Sequence, residues 1–327
     1  MEQKQGTKKA WTLDDFLIQE KAGNGQYGIV YRAVEKISKY EVALKAINIS
    51  KIAEHDFFNQ TKSEIEIHYR LRHPNILRLF GYFYDDQSVY VVLEYAPYGN
   101  LYQKIKRERN LSEDLARSIL KQLVNALIFM RDRNIIHRDI KPENILLCDS
   151  KGTIKLSDFG WATKALNSNR LTFCGTADYV APELVHSVPY DYKIDLWAWG
   201  VLLYEMLMGN APFSGKDDQE TFDKIREYDF NKDKKYEGLS SNARDLITKI
   251  LVTDSEKRME YEDILDHAWF KNDQEDTKDG VLTAQTSIPE SNTLKENMCM
   301  NGKSEVESQS SKNLVTVVNL FDNKKEI

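Results

Sequence analysis

Cysteine is scarce. Cys148, Cys174 and Cys299 are the only three in 327 residues, and no two stand at the short spacing of metal ligands. Neither a disulfide framework nor a thiolate metal centre organises the chain, and this usage fits a reducing compartment, the cytosol or nucleus. Long apolar runs are also missing. The best, Ala198 to Met208, is short and carries Glu205, so no bilayer-spanning helix is expected. Met1 to Ala10 is polar and lysine-bearing, without the apolar core of a secretory signal. There is no excess of positive charge: 45 Lys plus Arg face 51 Asp plus Glu, a formal net charge of −6. Neither nucleic acid nor an anionic membrane is an expected partner. No internal repeat is present.

What is there exceeds one hydrophobic core, so two lobes plus a tail are expected. Residues 1–15 read as a flexible arm. From Phe16 to Ile47 the texture is strand-rich, with short apolar runs at Phe16-Leu17-Ile18, Ile29-Val30-Tyr31 and Val42-Ala43-Leu44. Residues 56–70 read as one helix, with Phe57, Thr61, Glu64, Ile65 and His68 at three-to-four spacing. Strands follow around Ile76–Tyr84 and Val89–Leu93. The small lobe is thus 16–94, an antiparallel sheet with one helix. A turn-rich hinge at 95–98 leads to a mainly helical lobe, 99–270. There the spacing predicts helices over 114–131, with Ser112 as N-cap, and over 195–208, 219–227, 241–252 and 260–267. The fold class is α+β. Residues 271–327 hold 7 Lys against 10 Asp plus Glu and no Trp or Tyr, the composition of a disordered acidic tail. Its apolar island, Leu314 to Phe321, is either a docking segment or part of an unstructured end.

Four clusters carry chemistry. In Ala22-Gly23-Asn24-Gly25-Gln26-Tyr27-Gly28-Ile29-Val30, glycines let backbone approach phosphate oxygens. They lead into a strand rather than a helix, so they form a hairpin flap and not a dinucleotide site. Val42-Ala43-Leu44-Lys45 ends a buried strand on a lysine that needs a counter-charge. Glu64 is chosen, nine residues before His73-Pro74-Asn75; Glu66 points about 160° around the helix and is expected to be solvated. His137-Arg138-Asp139-Ile140-Lys141-Pro142-Glu143-Asn144 packs two acids, a base, two cations and an amide into a loop, because Pro142 forbids a helix there. Ser157-Asp158-Phe159-Gly160 follows nineteen residues after Asp139 and offers a carboxylate to Mg²⁺. Further on, Glu183 and Arg258 are placed to form a buried pair, and Asp195 opens a buried helix.

In this order and spacing, these motifs resemble the eukaryotic protein-kinase domain over roughly 16–270. The resemblance implies a bilobal kinase fold binding ATP and Mg²⁺. Ala22, Gly23, Gly25, Gln26, Gly28, Val30, Ala43, Lys45, Leu93, Glu94, Tyr95, Ala96, Glu143 and Asn144 would line the ATP site. Lys45 would be held by Glu64, the metals by Asn144 and Asp158. Asp139 would take the substrate proton, with Lys141 and Thr176 beside it. His68, Leu79, His137 and Phe159 would form an internal spine.

Closer still is the resemblance to Aurora kinases. It rests on Trp11-Thr12-Leu13-Asp14-Asp15-Phe16, the run Leu71 to Phe83, Leu93-Glu94-Tyr95-Ala96-Pro97, the tryptophan after Asp158-Phe159-Gly160, and Thr172-Phe173-Cys174-Gly175-Thr176. It implies a mitotic serine/threonine kinase of the cytoplasm and nucleus, found at spindle, centrosome or chromosomes. Its kinase domain would be monomeric and act on protein Ser/Thr substrates. It would be activated by phosphorylation of Thr172, with a spindle or inner-centromere protein docked on the small lobe. Departures are Ser63 in place of an arginine, His68 of a glutamine, Ala177 of a larger apolar residue, Ala181 of a proline and Ser255 of the commoner proline. With Ser63 there, Arg138 and Arg170 are left as the obvious phosphate partners, Arg138 foremost and Lys62 a lesser third. Rival readings are a polo-like or calcium/calmodulin-dependent kinase, and a pseudokinase scaffold.

Overall fold

A computed structural model of the chain describes residues 11–25, 28–54, 58–164, 175–230 and 234–271. In the small lobe, β1 (Phe16–Gly25), β2 (Gly28–Glu35) and β3 (Glu41–Asn48) precede two helices, α1 (Ile49–Glu54) and α2 (Phe58–Arg70). Strands β4 (Leu79–Tyr84) and β5 (Ser88–Glu94) complete an antiparallel sheet in the order β1-β2-β3-β5-β4. β3 is central, so Val42, Ala43 and Leu44 are buried in succession rather than alternately. Phe16, Leu44, Phe83 and Val92 belong to the lobe's core, where Phe16 stacks on Phe83 at 5.5 Å between centroids.

The large lobe opens with α3 (Leu101–Glu108) and α4 (Glu113–Arg131), followed by β6 (Ile135–Ile136), β7 (Ile145–Leu147), β8 (Ile154–Leu156) and β9 (Thr163–Lys164). Then come α5 (Pro182–Val185), α6 (Lys193–Met208), α7 (Asp218–Glu227), α8 (Lys234–Glu237), α9 (Ser241–Ile250), α10 (Tyr261–Asp266) and α11 (Ala268–Lys271). Ser112 caps α4 by accepting from the Leu115 amide at 3.4 Å. Asn100 and Gln103 form a reciprocal capping box on α3. α6 is apolar on every side, which suits a helix enclosed by others. A Cβ on its Gly200 would lie 2.6 Å from Ile250 Cγ2, so the bare glycine lets α9 close on it. The only acids of α6, Asp195 and Glu205, are both drawn into the site described below. Among the described residues, no helix is long and apolar enough to cross a membrane.

The bilobal α+β architecture is the expected one. Several details differ from the pattern. The helix expected over 56–70 is described from Phe58, and residues 55–57 lie outside the described set. Ile76 is not strand but a single parallel bridge to Leu156. Helices α1, α3, α5, α8 and α11 were not anticipated; each is short, and a short helix shows little periodicity. The expected flexible arm is structured from Trp11 onward. Its ring meets Phe16 edge-on at 5.7 Å and covers Gly81, where a Cβ would lie 3.0 Å from the indole. Leu13–Asp15 then forms a 3-10 turn with a Thr12/Asp15 capping box. Of the expected disordered tail, Lys271 ends α11; the rest, with its apolar island and Cys299, lies outside the described residues, as do Gln26, Arg170, Thr172 and Cys174.

Candidate active site

Between the lobes lies a cleft of about 460 Å³, within the usual range for a small-molecule site. Ala22, Gly23, Val30 and Ala43 form its roof and Leu146 part of its floor; Leu93, Glu94, Tyr95 and Ala96 close the hinge side. Gly23 leaves open space where a Cβ would stand. Gly28 is needed for the opposite reason: a Cβ there would fall 1.7 Å from the Ala46 carbonyl oxygen of β3.

The inner end is polar. Lys45 Nζ stands 2.7 Å from Glu64 Oε1, which settles the choice between the two glutamates of α2. Glu66, expected to be solvated, is half-buried near Tyr82. Asp158 holds a left-handed φ of 60°, uncommon for a residue with a side chain, and opens onto the cleft. Enclosure pushes its carboxyl upward, but the Lys45 ammonium, the Gly160 amide and the neighbouring His137 and Lys141 outweigh that and hold it below the ordinary carboxylate range. Phe159 packs between His68, at 4.3 Å, and His137, at 4.9 Å. Leu79 is buried and lines the same cleft. His68 bonds the Leu77 carbonyl at 2.6 Å, so its Nε2 carries the proton. Burial pushes this imidazole down to about 3.

The loop from His137 to Asn144 is held from below. Asp195, at the start of α6, accepts the backbone amides of His137 at 2.7 Å and Arg138 at 2.8 Å. Burial pushes the Asp195 carboxyl upward, against these bonds and the nearby cations. Arg138 is left-handed, with φ 69°. Its Nε donates to the Trp161 carbonyl at 2.6 Å and its Nη1 to the Tyr190 hydroxyl at 3.0 Å. Asp139 is buried. Lys141 Nζ lies 2.9 Å from Asp139 Oδ2 and donates to Thr176 Oγ1 at 2.9 Å; that hydroxyl in turn donates to Asp139 Oδ1 at 3.3 Å. Asn144 donates from Nδ2 to the Asp139 carbonyl and to Oδ2, at 2.8 and 2.9 Å. Its amide oxygen is thereby turned away from Asp139. A carboxylate and an amide oxygen at the phosphate end of such a cleft make a hard donor set of the kind Mg²⁺ takes, and Lys45 adds the cation that phosphates require. The residues present fit a magnesium nucleotide. Glu143 is exposed at the mouth of the cleft. Farther off, Arg258 grips Glu183 through two bonds of 2.9 and 3.0 Å, with both side chains buried.

The family described as protein kinase domain matches residues 16–270. The chain is 42% identical over 266 residues to the serine/threonine-protein kinase Aurora-2 of Arabidopsis thaliana, covering 81% of this chain and 93% of that one. It is 41% identical over 271 residues to Aurora kinase C of Mus musculus, covering 83% and 97%. An Aurora kinase of Dictyostelium discoideum is 40% identical over 264 residues, 81% of this chain and 68% of its own length. The chain belongs to the Aurora family of serine/threonine protein kinases.

In this Aurora-family kinase, Leu146, Gln60 and Glu205 are site residues that the sequence pattern did not mark. Gln60, one helical turn before Glu64 on α2, donates to the Gly160 carbonyl at 2.8 Å and ties the helix to the segment bearing Asp158. Glu205 accepts the Tyr179 hydroxyl below the mouth of the site. The signal for Glu205 was a single charge inside an otherwise apolar helix; Gln60 shares the face of Glu64, but no spacing along the chain named its partner.

Proposed function

We propose that this Aurora-family serine/threonine kinase transfers the γ-phosphate of ATP, bound with Mg²⁺ between the lobes, to arginine-directed protein substrates in mitosis. The observation that carries the reading is the convergence of Lys141, Thr176 and Asn144 on the buried carboxylate of Asp139, with Lys45 and Glu64 joined across the same cleft. Phosphoryl transfer asks mainly for positioning and charge stabilisation. Backbone at Glu94 and Ala96 would bond the adenine, which Val30 and Leu146 would sandwich. Lys45 would hold the α and β phosphates. Asp158 and Asn144 would hold Mg²⁺, which would neutralise phosphate charge during the transfer. Asp139 would orient the substrate hydroxyl and accept its proton. Lys141 would bridge to the γ-phosphate, and Thr176 would keep both side chains in place.

Glu143, with Glu205 and Asp178 behind it, would receive a substrate arginine two positions before the target residue. Asn169-Arg170-Leu171-Thr172 spells such a site in the chain itself. Phosphorylation of Thr172 would add roughly −1.5 to −2 charge and engage Arg138 and Arg170. For Arg138, that means exchanging its bonds to Trp161 and Tyr190. The small lobe would dock a spindle or inner-centromere protein, and the kinase would work in cytoplasm and nucleus at spindle, centrosome or chromosomes.

The test is transfer of radiolabelled phosphate from ATP to a serine peptide bearing that arginine, wild type against Asp139→Asn. Loss of nearly all incorporation in the variant is expected. Equal incorporation by both proteins would overturn the assignment.

A further inference from the structure

One side chain outside the groups above joins three segments that frame the cleft. Lys155 is the middle residue of β8, directly opposite Leu146 of β7. Opposed residues of an antiparallel pair present their side chains on one face, so Lys155 leaves the strand on the side where Leu146 lines the cleft floor. Its Nζ lies 3.0 Å from Glu94 Oε2 and donates to the Pro74 carbonyl at 2.9 Å. Glu94 is the last residue of β5, where the hinge begins. Pro74 lies between α2 and β4. Three residues beyond Lys155 stands Asp158.

The surrounding bonds show which part of this junction is fixed. Asn75 donates to the Ile154 carbonyl at 3.1 Å and to Gln122 of α4 at 2.9 Å. The Leu156 amide donates to the Asn75 carbonyl at 2.8 Å, and the Leu77 amide to the Leu156 carbonyl at 2.9 Å. The segment around Pro74 is therefore bound to β8 whether or not Lys155 contributes. Glu94 is attached on its other side to the small lobe. Its backbone amide donates to the Arg78 carbonyl at 2.8 Å, and its carboxylate accepts the Arg78 amide at 3.2 Å. The Lys155–Glu94 pair is thus a direct side-chain link from the start of the hinge to β8, which ends two residues before Asp158. With 16% and 22% of the two side chains exposed, the pair is shielded enough to resist screening better than a surface pair.

We infer that Lys155 and Glu94 form a brace that sets the adenine end of the nucleotide site relative to its metal end, making Lys155 a positioning residue for ATP. This rests on the reading of the cleft as the ATP site. A nucleotide bound at both ends gains full affinity only when the two ends stand at the right separation. Without the ammonium, Glu94 is held to β8 only indirectly, through Arg78 and Leu77 and through the bonds of Tyr98 and Gly99 to Leu147, so its spacing from β8 loosens, and the loss falls on ATP rather than on the peptide or the proton transfer at Asp139.

The experiment is steady-state kinetics of the whole chain carrying Lys155→Met, which keeps the stem and removes the charge, together with titration of a fluorescent ATP analogue. The expected result is an ATP KM raised about five- to tenfold, with weaker analogue binding to match, and kcat and peptide KM within about twofold of wild type. Lys155→Arg should restore ATP KM to within about twofold. Glu94→Gln should raise ATP KM at least as much, since its carboxylate also accepts the Arg78 amide, and the double variant should be no worse than Glu94→Gln alone. If Lys155→Met folds poorly, Glu94→Gln and Lys155→Arg carry the comparison. An unchanged ATP KM in Lys155→Met or Glu94→Gln overturns the brace. So does a raised kcat with faster ADP release, which would make the pair a latch on opening instead. Failure of the underlying site reading shows separately, as wild-type ATP KM and activity in Asp158→Asn.

Discussion

Tyr179 donates its phenolic proton to the carboxyl of Glu205, joining the segment after Thr176 to the buried helix α6. Burial pushes the Glu205 carboxyl up to about 7; the Tyr179 hydroxyl opposes this, and the carboxylates of Glu143 and Asp178 add to it. The tyrosine is pushed well above its ordinary value, by burial first, and so remains the donor.

On the proposed docking of a substrate arginine at Glu143, this relationship should make substrate selection depend on pH. Glu205 is protonated below about 7 and ionised above it, so a substrate guanidinium meets one more negative charge as pH rises. Selectivity for a peptide with arginine two positions before the serine, over the same peptide with citrulline there, should rise roughly fivefold from pH 6 to 8. Measured as a ratio of kcat/KM values, it should stay flat in Glu205→Gln. A ratio that climbs equally in the variant would exclude Glu205.

His68 ties stability to pH in the acid range. Its folded value of about 3 lies below the ordinary 6.5. Below 6.5 the unfolded chain takes up a proton that the native state refuses, so stability is lost as pH falls toward 3. The slope from this residue approaches about 1.4 kcal/mol per pH unit. Urea unfolding should show a steeper loss between pH 6.5 and 5 in wild type than in His68→Gln. His73, also held low by burial, contributes equally to both proteins and cancels in the comparison.

The Arg258–Glu183 pair is structural. Arg258 also donates to the carbonyls of Lys193 and Val252. Arg258→Met strands a buried carboxylate and should cost about 3–5 kcal/mol of unfolding free energy. Glu183→Leu combined with Arg258→Met should recover part of that, since no uncompensated charge remains. Denaturant midpoints decide it.

Thr172→Val should lower activity at least about tenfold, read by phosphate transfer with purified protein. Unchanged activity in the variant would detach regulation from this threonine. If Arg138 answers the phosphate, Tyr190→Phe should sharpen the response, because Tyr190 holds Arg138 Nη1 at 3.0 Å in this structure.

Much of the frame could be read from residue order. The nine-residue offset from His73 picked Glu64 over Glu66, and apolar spacing placed α4 with its Ser112 cap. What could not be read were contacts between side chains far apart in the chain. Gln60 meets a carbonyl 100 residues on, and Lys155 one 81 residues back. Periodicity says which face of an element is buried, not what is packed against it. Glu66 shows the same limit: its angle on the helix points to solvent, yet it is half-buried near Tyr82 of β4.

By itself, the sequence determined which chemical groups exist and in what order: the glycine flap, the strand-ending lysine, the loop that Pro142 keeps from being a helix, and the carboxylate nineteen residues beyond Asp139. These are local matters of backbone freedom and side-chain type, settled within a few residues. Only the tertiary structure decided how those groups are charged and held. It gave Asp139 three polar neighbours, set Arg138 against Trp161 and Tyr190, and raised Glu205 by enclosing it. Desolvation and Coulomb terms depend on distances between segments that meet only when the chain has folded, and no spacing along it contains them.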